Sequence, residues 1–369
     1  MALNNITSLI LRNSSGIILS DSDKLDNLII SNTTIIKNKS LSKFKNLENF
    51  ELINYRNNQD FNTIIDFSQL ISLKNLVCLP HDFIFLTENC LVENIDLIGL
   101  GEDTSEDIEK KVIEIIFKLN HLKSINFCIN YNIDLEEIIE KNDTNKSLKS
   151  MHIMFKEIME SQNISKFIKK FENLSELKID MNIGEEEAVM ELNINEDKKC
   201  KIDKLSLYGL GFEKLEITCG LYSDLIEIIF HENGEISNLE ESFPLFQKNC
   251  EFKFNKLNKF IYSNWEIFQF ETPLQVIENV YNNLNKIDNL KIFEFSCICK
   301  GTSKEFYEKF VKKLLEMKLD YIKFNIIKTD EEDQIIDTDN YTNEELIELY
   351  PNALINKNYI ISKFPEIEE

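Results

Sequence analysis

A short apolar pattern recurs along nearly the whole chain and constrains its fold more than any other feature. Its best copy is Leu174-Ser-Glu-Leu177-Lys-Ile179-Asp-Met-Asn182, with apolar residues at relative positions 1, 4 and 6. Leu177 and Ile179 alternate with polar residues, as in a half-buried strand. Successive copies begin at Leu122, Leu148 and Leu174, a spacing of 26 residues. This spacing predicts a solenoid, because one such unit cannot bury its apolar side without neighbours.

Looser copies extend the pattern towards both ends of the chain. They start at Ile6, Leu25, Leu47, Leu73, Val92, Ile202, Phe212, Leu225, Leu257, Leu290 and Leu319. Their spacing is irregular, since Phe212 follows Ile202 by 10 residues and Leu290 follows Leu257 by 33. The chain contains only 9 Gly and 5 Pro and has no obvious linker, which favours a continuous array.

Segments with helical periodicity precede several copies. Their apolar stripes are Ile108, Val112, Ile115, Ile116 and Leu119; Leu274, Ile277, Tyr281 and Leu284; and Phe306, Phe310 and Leu314. Thr272-Pro273 is typical of a helix start, with a hydroxyl cap before proline. Helices that alternate with strands predict parallel strands joined by crossovers.

With this pattern the chain resembles the leucine-rich repeat family over about residues 1–328. The resemblance implies an α/β solenoid with a curved parallel sheet on its concave side and with helices and irregular segments on its convex side. In the family, the final Asn of the motif ties neighbouring turns together. Here that position holds Asn130, Asn182 and Asn233 in three copies, and Tyr55, His81, Lys156 and Trp265 in others.

Two regions depart from the repeat. Residues 184–235 fit the pattern poorly, and we expect an atypical insertion with extra strands, or a hairpin. Residues 329–369 show no repeat, and we expect an acidic C-terminal cap or tail. Thr342-Asn-Glu-Glu345 reads as a capping box that begins a short helix before Pro351.

The net charge of −23 bears on the class of partner. Nucleic-acid phosphates and anionic membranes would be repelled, and Arg12 and Arg56 are the only guanidinium groups. A basic protein surface suits such a field, although the acidity can also serve solubility alone.

Signals for export and membrane insertion are not visible. The N-terminus lacks a basic start and a long apolar run, and no segment has about 18 uninterrupted apolar residues. The 8 Cys residues are scattered, so we expect reduced thiols rather than a disulfide framework. These features predict a cytoplasmic or nuclear protein.

No catalytic, cofactor or metal motif stands out. The four histidines, His81, His121, His152 and His231, have no partners at zinc-like spacing, and no glycine-rich phosphate loop is present. We therefore expect no enzyme activity, no cofactor and no metal. One alternative is an enzyme or enzyme activator with a site in residues 184–270, near His231. Another is a structural subunit of a larger assembly.

The residues between the apolar positions are the candidates for partner binding. Strand side chains alternate, so these residues lie on the concave face of the expected sheet. Aromatic residues among or beside them are the best anchors. The candidates are Glu51, Asp96, Asn126, His152, Glu176, Lys178, Ser206, Tyr208, Trp265 and Tyr321. The sequence thus predicts a protein-interaction module that binds through this face.

Overall fold

The computed structural model describes residues 6–13, 24–31, 44–53, 67, 70–84, 86–98, 105–131, 133–156, 161–181, 188–194, 202–209, 212–219, 225–232, 239–264, 272–299, 301–327, 339–353, 355 and 358–364. The chain forms two compact units. Unit 1 comprises Met1–Met159 and Lys166–Ser175, and unit 2 comprises Glu160–Ser165 and Glu176–Glu369.

Unit 1 contains seven described strands of the larger sheet, and they follow chain order. The strands are β1 (Ser8–Arg12), β2 (Asn27–Ser31), β3 (Asn49–Ile53), β4 (Asn75–Cys78), β5 (Asn94–Leu97), β6 (Ser124–Ile129) and β7 (Ser150–Phe155). Every neighbouring pair is parallel. The predicted parallel architecture is therefore confirmed in this unit.

Unit 2 repeats the same arrangement with seven further strands. In sheet order they are β8 (Glu176–Met181), β10 (Lys204–Gly209), β12 (Glu227–Glu232), β13 (Lys259–Asn264), β14 (Ile292–Ile298), β15 (Tyr321–Ile327) and β16 (Tyr359–Ile361). All of these pairs are also parallel.

The irregular region contains a second, smaller sheet. Strand β9 (Ala188–Ile194) pairs in parallel with β11 (Phe212–Cys219), and β10 lies between them in the chain. The region does contain extra strands, but the pairing differs from that of a hairpin, whose strands are antiparallel. The apolar pattern that begins at Phe212 thus belongs to β11 and lies outside the larger sheet.

Helices of varied length connect the strands. They are α1 (Pro80–Phe83), α2 (Glu106–Lys118), α3 (Leu135–Lys141), α4 (Ser161–Lys169), α5 (Leu239–Ser242), α6 (Leu274–Asn283), α7 (Lys304–Glu316) and α8 (Asn343–Leu349). The three predicted helical stripes fall on α2, α6 and α7. Thr272 is not the cap of α6, because Pro273 occupies that position and the Thr272 hydroxyl lies 2.9 Å from the Tyr262 hydroxyl instead.

The helices pack on one face of each sheet through aromatic side chains. In unit 1, Phe127 of β6 contacts Phe167 of α4 with ring centroids 6.5 Å apart. In unit 2, Phe310 of α7 contacts Phe324 of β15 at 4.6 Å. Side chains at the apolar motif positions point to this inner face, and Leu177 and Ile179 are completely buried. The opposite, outward face carries the residues between them.

A buried asparagine ties successive turns of unit 1, but from a position that the family motif does not mark. Asn145 Nδ2 donates to the carbonyl oxygens of Ile116 and Leu119, and its Oδ1 accepts from the backbone N–H groups of Ser147 and Leu148. The motif residue Asn130 instead binds the buried carboxylate of Glu109 within its own turn. Asn182, Asn233 and Trp265 lie outside the described residues.

The described part of the C-terminal region continues unit 2. Thr342 and Glu345 form the predicted capping box, and α8 ends before Pro351. Strand β16 adds to β15, and Asn340 forms an antiparallel bridge with Ser362 on its other side. The domain boundary at residue 329 stays a prediction. Within the described ranges, no helix has both the length and the apolar character needed to cross a bilayer.

Candidate functional site

Nine of the ten predicted binding residues lie on the outward face of the larger sheet's strands in the two units, and Trp265 lies outside the described residues. Unit 1 holds Glu51, Asp96, Asn126 and His152. Unit 2 holds Glu176, Lys178, Ser206, Tyr208 and Tyr321. The alternation of buried and exposed side chains in the strands places them there, as the apolar pattern predicted.

Unit 1 carries a column of asparagines across its outward face, which we call the asparagine column: Asn27, Asn49, Asn75 and Asn94. Asn75 Nδ2 donates to Asn49 Oδ1 at 2.6 Å, and Asn94 Nδ2 donates to Asn75 Oδ1 at 2.7 Å. The amides of Asn49, Asn75 and Asn94 are therefore linked across about 4.8 Å of strand spacing, whereas Asn27 Nδ2 donates to Ser8 Oγ at 3.0 Å. Asn49 and Asn94 lie between apolar positions of the motif, and the register of the parallel strands brings them into one column with Asn75.

The second outward column of unit 1 contains the predicted residues. Glu51, Asp96, Asn126 and His152 are all partly exposed. Asn126 Nδ2 donates to Asp96 Oδ1 at 2.8 Å, which orders both side chains. The column is polar over β5, β6 and β7 and offers carboxylate, amide and imidazole groups to a partner.

Unit 2 presents charges of alternating sign on neighbouring strands. Glu176, Lys204, Glu227 and Lys259 occupy equivalent positions in β8, β10, β12 and β13. Lys259 Nζ lies 2.8 Å from Glu227 Oε1, and both side chains are about three-quarters buried. Lys323 lies 3.9 Å from Glu294 on the next column. The positive and negative charges on the outward face of these strands of unit 2 therefore nearly balance, although the chain as a whole is strongly acidic.

A third column lies nearest the carboxyl ends of the strands of unit 2. In register it contains Asp180, Tyr208, His231, Ser263, Ser296 and Asn325, and we call it the carboxyl-end row. Lys178 Nζ lies 4.4 Å from the centre of the Tyr208 ring, whose centroid is 4.7 Å from that of His231. His231 Nδ1 is hydrogen-bonded to Ser263 Oγ.

Burial and charge shift the ionisation of this row. Burial lowers the pKa of His231 below its ordinary value of 6.5, and the positive charges of Lys323, Lys178 and Lys259 lower it further. The imidazole is therefore neutral at neutral pH. Burial also raises the pKa values of Asp180 and Tyr208.

Tyr208 and His231 were already candidates from the sequence, whereas Ser263, Ser296 and Asn325 were not. Each of the three lies two residues after another outward strand position, namely Ile261, Glu294 or Lys323, so the alternation of a strand could have predicted them. Their significance comes from burial, because Ser263 and Ser296 are only 5% and 2% exposed although they face outward.

Metal ligands do not converge in the described parts of either unit, where no group of three His, Cys, Asp or Glu side chains could hold an ion. The described cysteines, Cys78, Cys90, Cys128, Cys250, Cys297 and Cys299, are free thiols and are buried. Comparison of the chain with models of known protein families gives no match, and comparison with curated proteins gives none either.

Proposed function

We propose that this chain is a leucine-rich-repeat-like, non-enzymatic interaction protein that binds a partner protein through the outward face of its sheets. One observation carries the proposal: helices cover the inner faces, while ordered columns of polar side chains occupy the outward faces. Binding surfaces of repeat proteins are built in this way from equivalent positions of successive units.

The side chains of β8 and β10 form the best anchor within this face. Lys178 stacks over Tyr208, and Glu176 and Ser206 lie on the same two strands. Aromatic side chains with neighbouring charged groups are enriched at the centre of binding interfaces. Their fixed positions reduce the conformational entropy lost on binding.

A basic protein remains one expected partner because of the net charge of −23. The balanced charges on the outward strands of unit 2 give this expectation no additional support. Salt dependence distinguishes a basic partner held by charge from a partner held by other contacts, because attraction between exposed charges weakens as salt screens it. A basic partner should dissociate as salt rises from 0.1 to about 1 M, a range over which the screening length falls about threefold.

The proposal can be tested with matched surface variants. The sheet variant combines Glu176→Ala, Lys178→Ala and Tyr208→Ala. The control combines Glu305→Ala and Lys312→Ala, two exposed residues of α7. Quantitative affinity purification from native cells should recover a partner with the wild-type and control proteins and lose it with the sheet variant. A partner lost with the control and kept with the sheet variant would contradict the proposal.

A second candidate function, an enzyme with its site in residues 184–270, is favoured by the hydrogen bond between His231 and Ser263. A neutral imidazole beside a hydroxyl is the arrangement that activates a serine nucleophile. A fluorophosphonate probe should then label wild-type protein but not Ser263→Ala or His231→Ala, while Ser206→Ala should still be labelled. Absence of labelling in the wild type would eliminate this candidate.

A further inference from the structure

Charged side chains form a column along the amino edge of unit 1, the side on which its parallel strands begin. Each member comes directly before the first residue of a strand from β2 to β7. The members of this charge column are Asp26, Glu48, Lys74, Glu93, Lys123 and Lys149. From Glu48 onward, the backbone N–H of each member donates to the carbonyl of the member before it. All six residues are at least partly exposed, so the column is accessible to a partner.

The signs of the charges along the column have an internal symmetry. From β2 to β7 they are negative, negative, positive, negative, positive and positive. Reading the column backwards reverses every sign. A second copy that meets this edge about a two-fold axis, normal to the sheet and between β4 and β5, therefore opposes each charge with its opposite. The facing pairs are Asp26 with Lys149, Glu48 with Lys123, and Lys74 with Glu93.

Two ion pairs within the chain already order four of these side chains. Lys74 Nζ lies 2.9 Å from Glu48 Oε1, and Lys123 Nζ lies 2.8 Å from Glu93 Oε2. In the two-fold arrangement, each pair faces the other pair of the second copy with opposite charges opposed. Single exposed ion pairs contribute little, whereas a network of several charges contributes more. Side chains that are already restrained also lose less conformational entropy on association.

Apolar side chains are exposed at the centre of the same edge. Ile71 and Leu91 lie in the segments that lead into β4 and β5, the two strands beside the axis, and are 63% and 46% exposed. Protein interfaces typically have an apolar centre and a polar rim. The charges of the column sum to zero, so the edge adds no repulsion between two chains of net charge −23.

We propose that the amino edge of unit 1 binds a second copy of this chain about the two-fold axis between β4 and β5. The equivalent edge of unit 2 lacks the symmetry of charge. The residues that precede β10, β12, β13, β14 and β15 are Asp203, Ile226, Asn258, Lys291 and Asp320. The amino edge is separate from the outward face that we assign to a partner protein, so either proposal can fail without the other.

The test uses two charge-reversal variants of the full chain, Asp26→Lys and Lys149→Glu. Both positions lie at the ends of the column, away from its internal ion pairs. Sedimentation equilibrium should show dimers of the wild type. Each variant alone should dimerise about tenfold more weakly, because like charges then meet at two places in the dimer. An equimolar mixture should form mixed dimers about as tightly as the wild type, since the new lysine of one variant faces the new glutamate of the other.

Asp203→Lys and Lys291→Glu are the matched controls on the amino edge of unit 2, and each should dimerise within about twofold of the wild type. Combining Ile71→Ser with Leu91→Ser should weaken dimerisation, whereas Ile347→Ser at a 53% exposed position of α8 should not. The proposal is overturned if the wild type is monomeric or if both charge reversals dimerise as the wild type does. It is also overturned if their mixture forms no mixed dimer.

Discussion

Replacement of Asn145 by alanine tests whether a single buried amide holds successive turns of unit 1 together. Asn145 is 2% exposed. Its side chain donates to the carbonyls of Ile116 and Leu119 at 3.0 and 3.3 Å and accepts from the N–H groups of Ser147 and Leu148 at 2.9 and 3.1 Å. One residue thus links the end of α2 to the turn that precedes β7.

The expected cost follows from the groups that lose their partner. The carbonyl of Leu119 keeps hydrogen bonds from Leu122 and from the Ser147 hydroxyl, so it stays satisfied. The carbonyl of Ile116 and the two N–H groups lose the bond from the side chain. A buried group left unsatisfied costs about 1–3 kcal/mol, and water that enters the vacated space offsets part of this. We expect Asn145→Ala to destabilise unit 1 by about 3 kcal/mol.

Urea unfolding with hydrogen exchange of the β6 and β7 amides measures this loss where it occurs. Asn173→Ala is the control, since the exposed Asn173 makes a single bond of 2.5 Å, to the carbonyl of Lys146. It should cost less than about 1 kcal/mol. If the two variants lose equal stability, Asn145 does not tie the turns and the reasoning fails.

Three further predictions concern ionisation and packing. Asp82 is 7% exposed with an unpartnered Oδ2, and burial raises its pKa from 3.8 to about 6. The Asp82 carboxyl therefore holds its proton more tightly in the folded state than in the unfolded state. The free energy of unfolding falls by about 3 kcal/mol as the pH rises from the lower to the higher of these pKa values. Asp82→Asn should accordingly be more stable than wild type at pH 7.5 and equal to it near pH 3, in urea titrations at both pH values; equal stability at pH 7.5 would refute this. Phe310 is fully buried against Phe324, so Phe310→Ala should lower the free energy of unfolding by about 3–5 kcal/mol. Phe252 is 43% exposed, so Phe252→Ala should lower it by less than about 1 kcal/mol in the same urea titration. The imidazole of His231 should titrate below pH 6.5 in NMR spectra, and a midpoint above 6.5 would contradict its burial.

Several elements followed from local pattern alone. The apolar positions of the motif are the buried ones, as at Leu122, Ile125 and Phe127, each at most 1% exposed. The outward residues followed from alternation, because successive side chains of a strand point to opposite faces. The sequence predicted the helices that precede β6, β14 and β15 in the chain. The buried side of a helix can nevertheless differ slightly from the predicted apolar stripe. In α2, for example, Ile113 and Phe117 are buried while Ile108 is only partly so.

Other features could not follow from local pattern. The copy at Phe212 matches the motif as well as the copy at Ile202 does, yet β10 joins the larger sheet and β11 pairs with β9. The difference arises because a strand pairs with a partner that is distant in the sequence. The six-residue pattern contains no information about which partner that is. In the same way, a buried asparagine does tie turns together, but it is Asn145 rather than Asn130.

The sequence by itself determined which side chains face the core and which face outward, because that depends only on the two-residue period of a strand. It also determined the balance of strand and helix, since apolar spacing is a local property. Only the tertiary structure decided which outward side chains became neighbours. His231 and Ser263 are 32 residues apart in the sequence but are hydrogen-bonded in the structure. The register of the parallel strands likewise makes Ser296 and Asn325 neighbours. That register is set by the packing of whole turns, so the polar groups of the carboxyl-end row come together only when the core beneath them has formed.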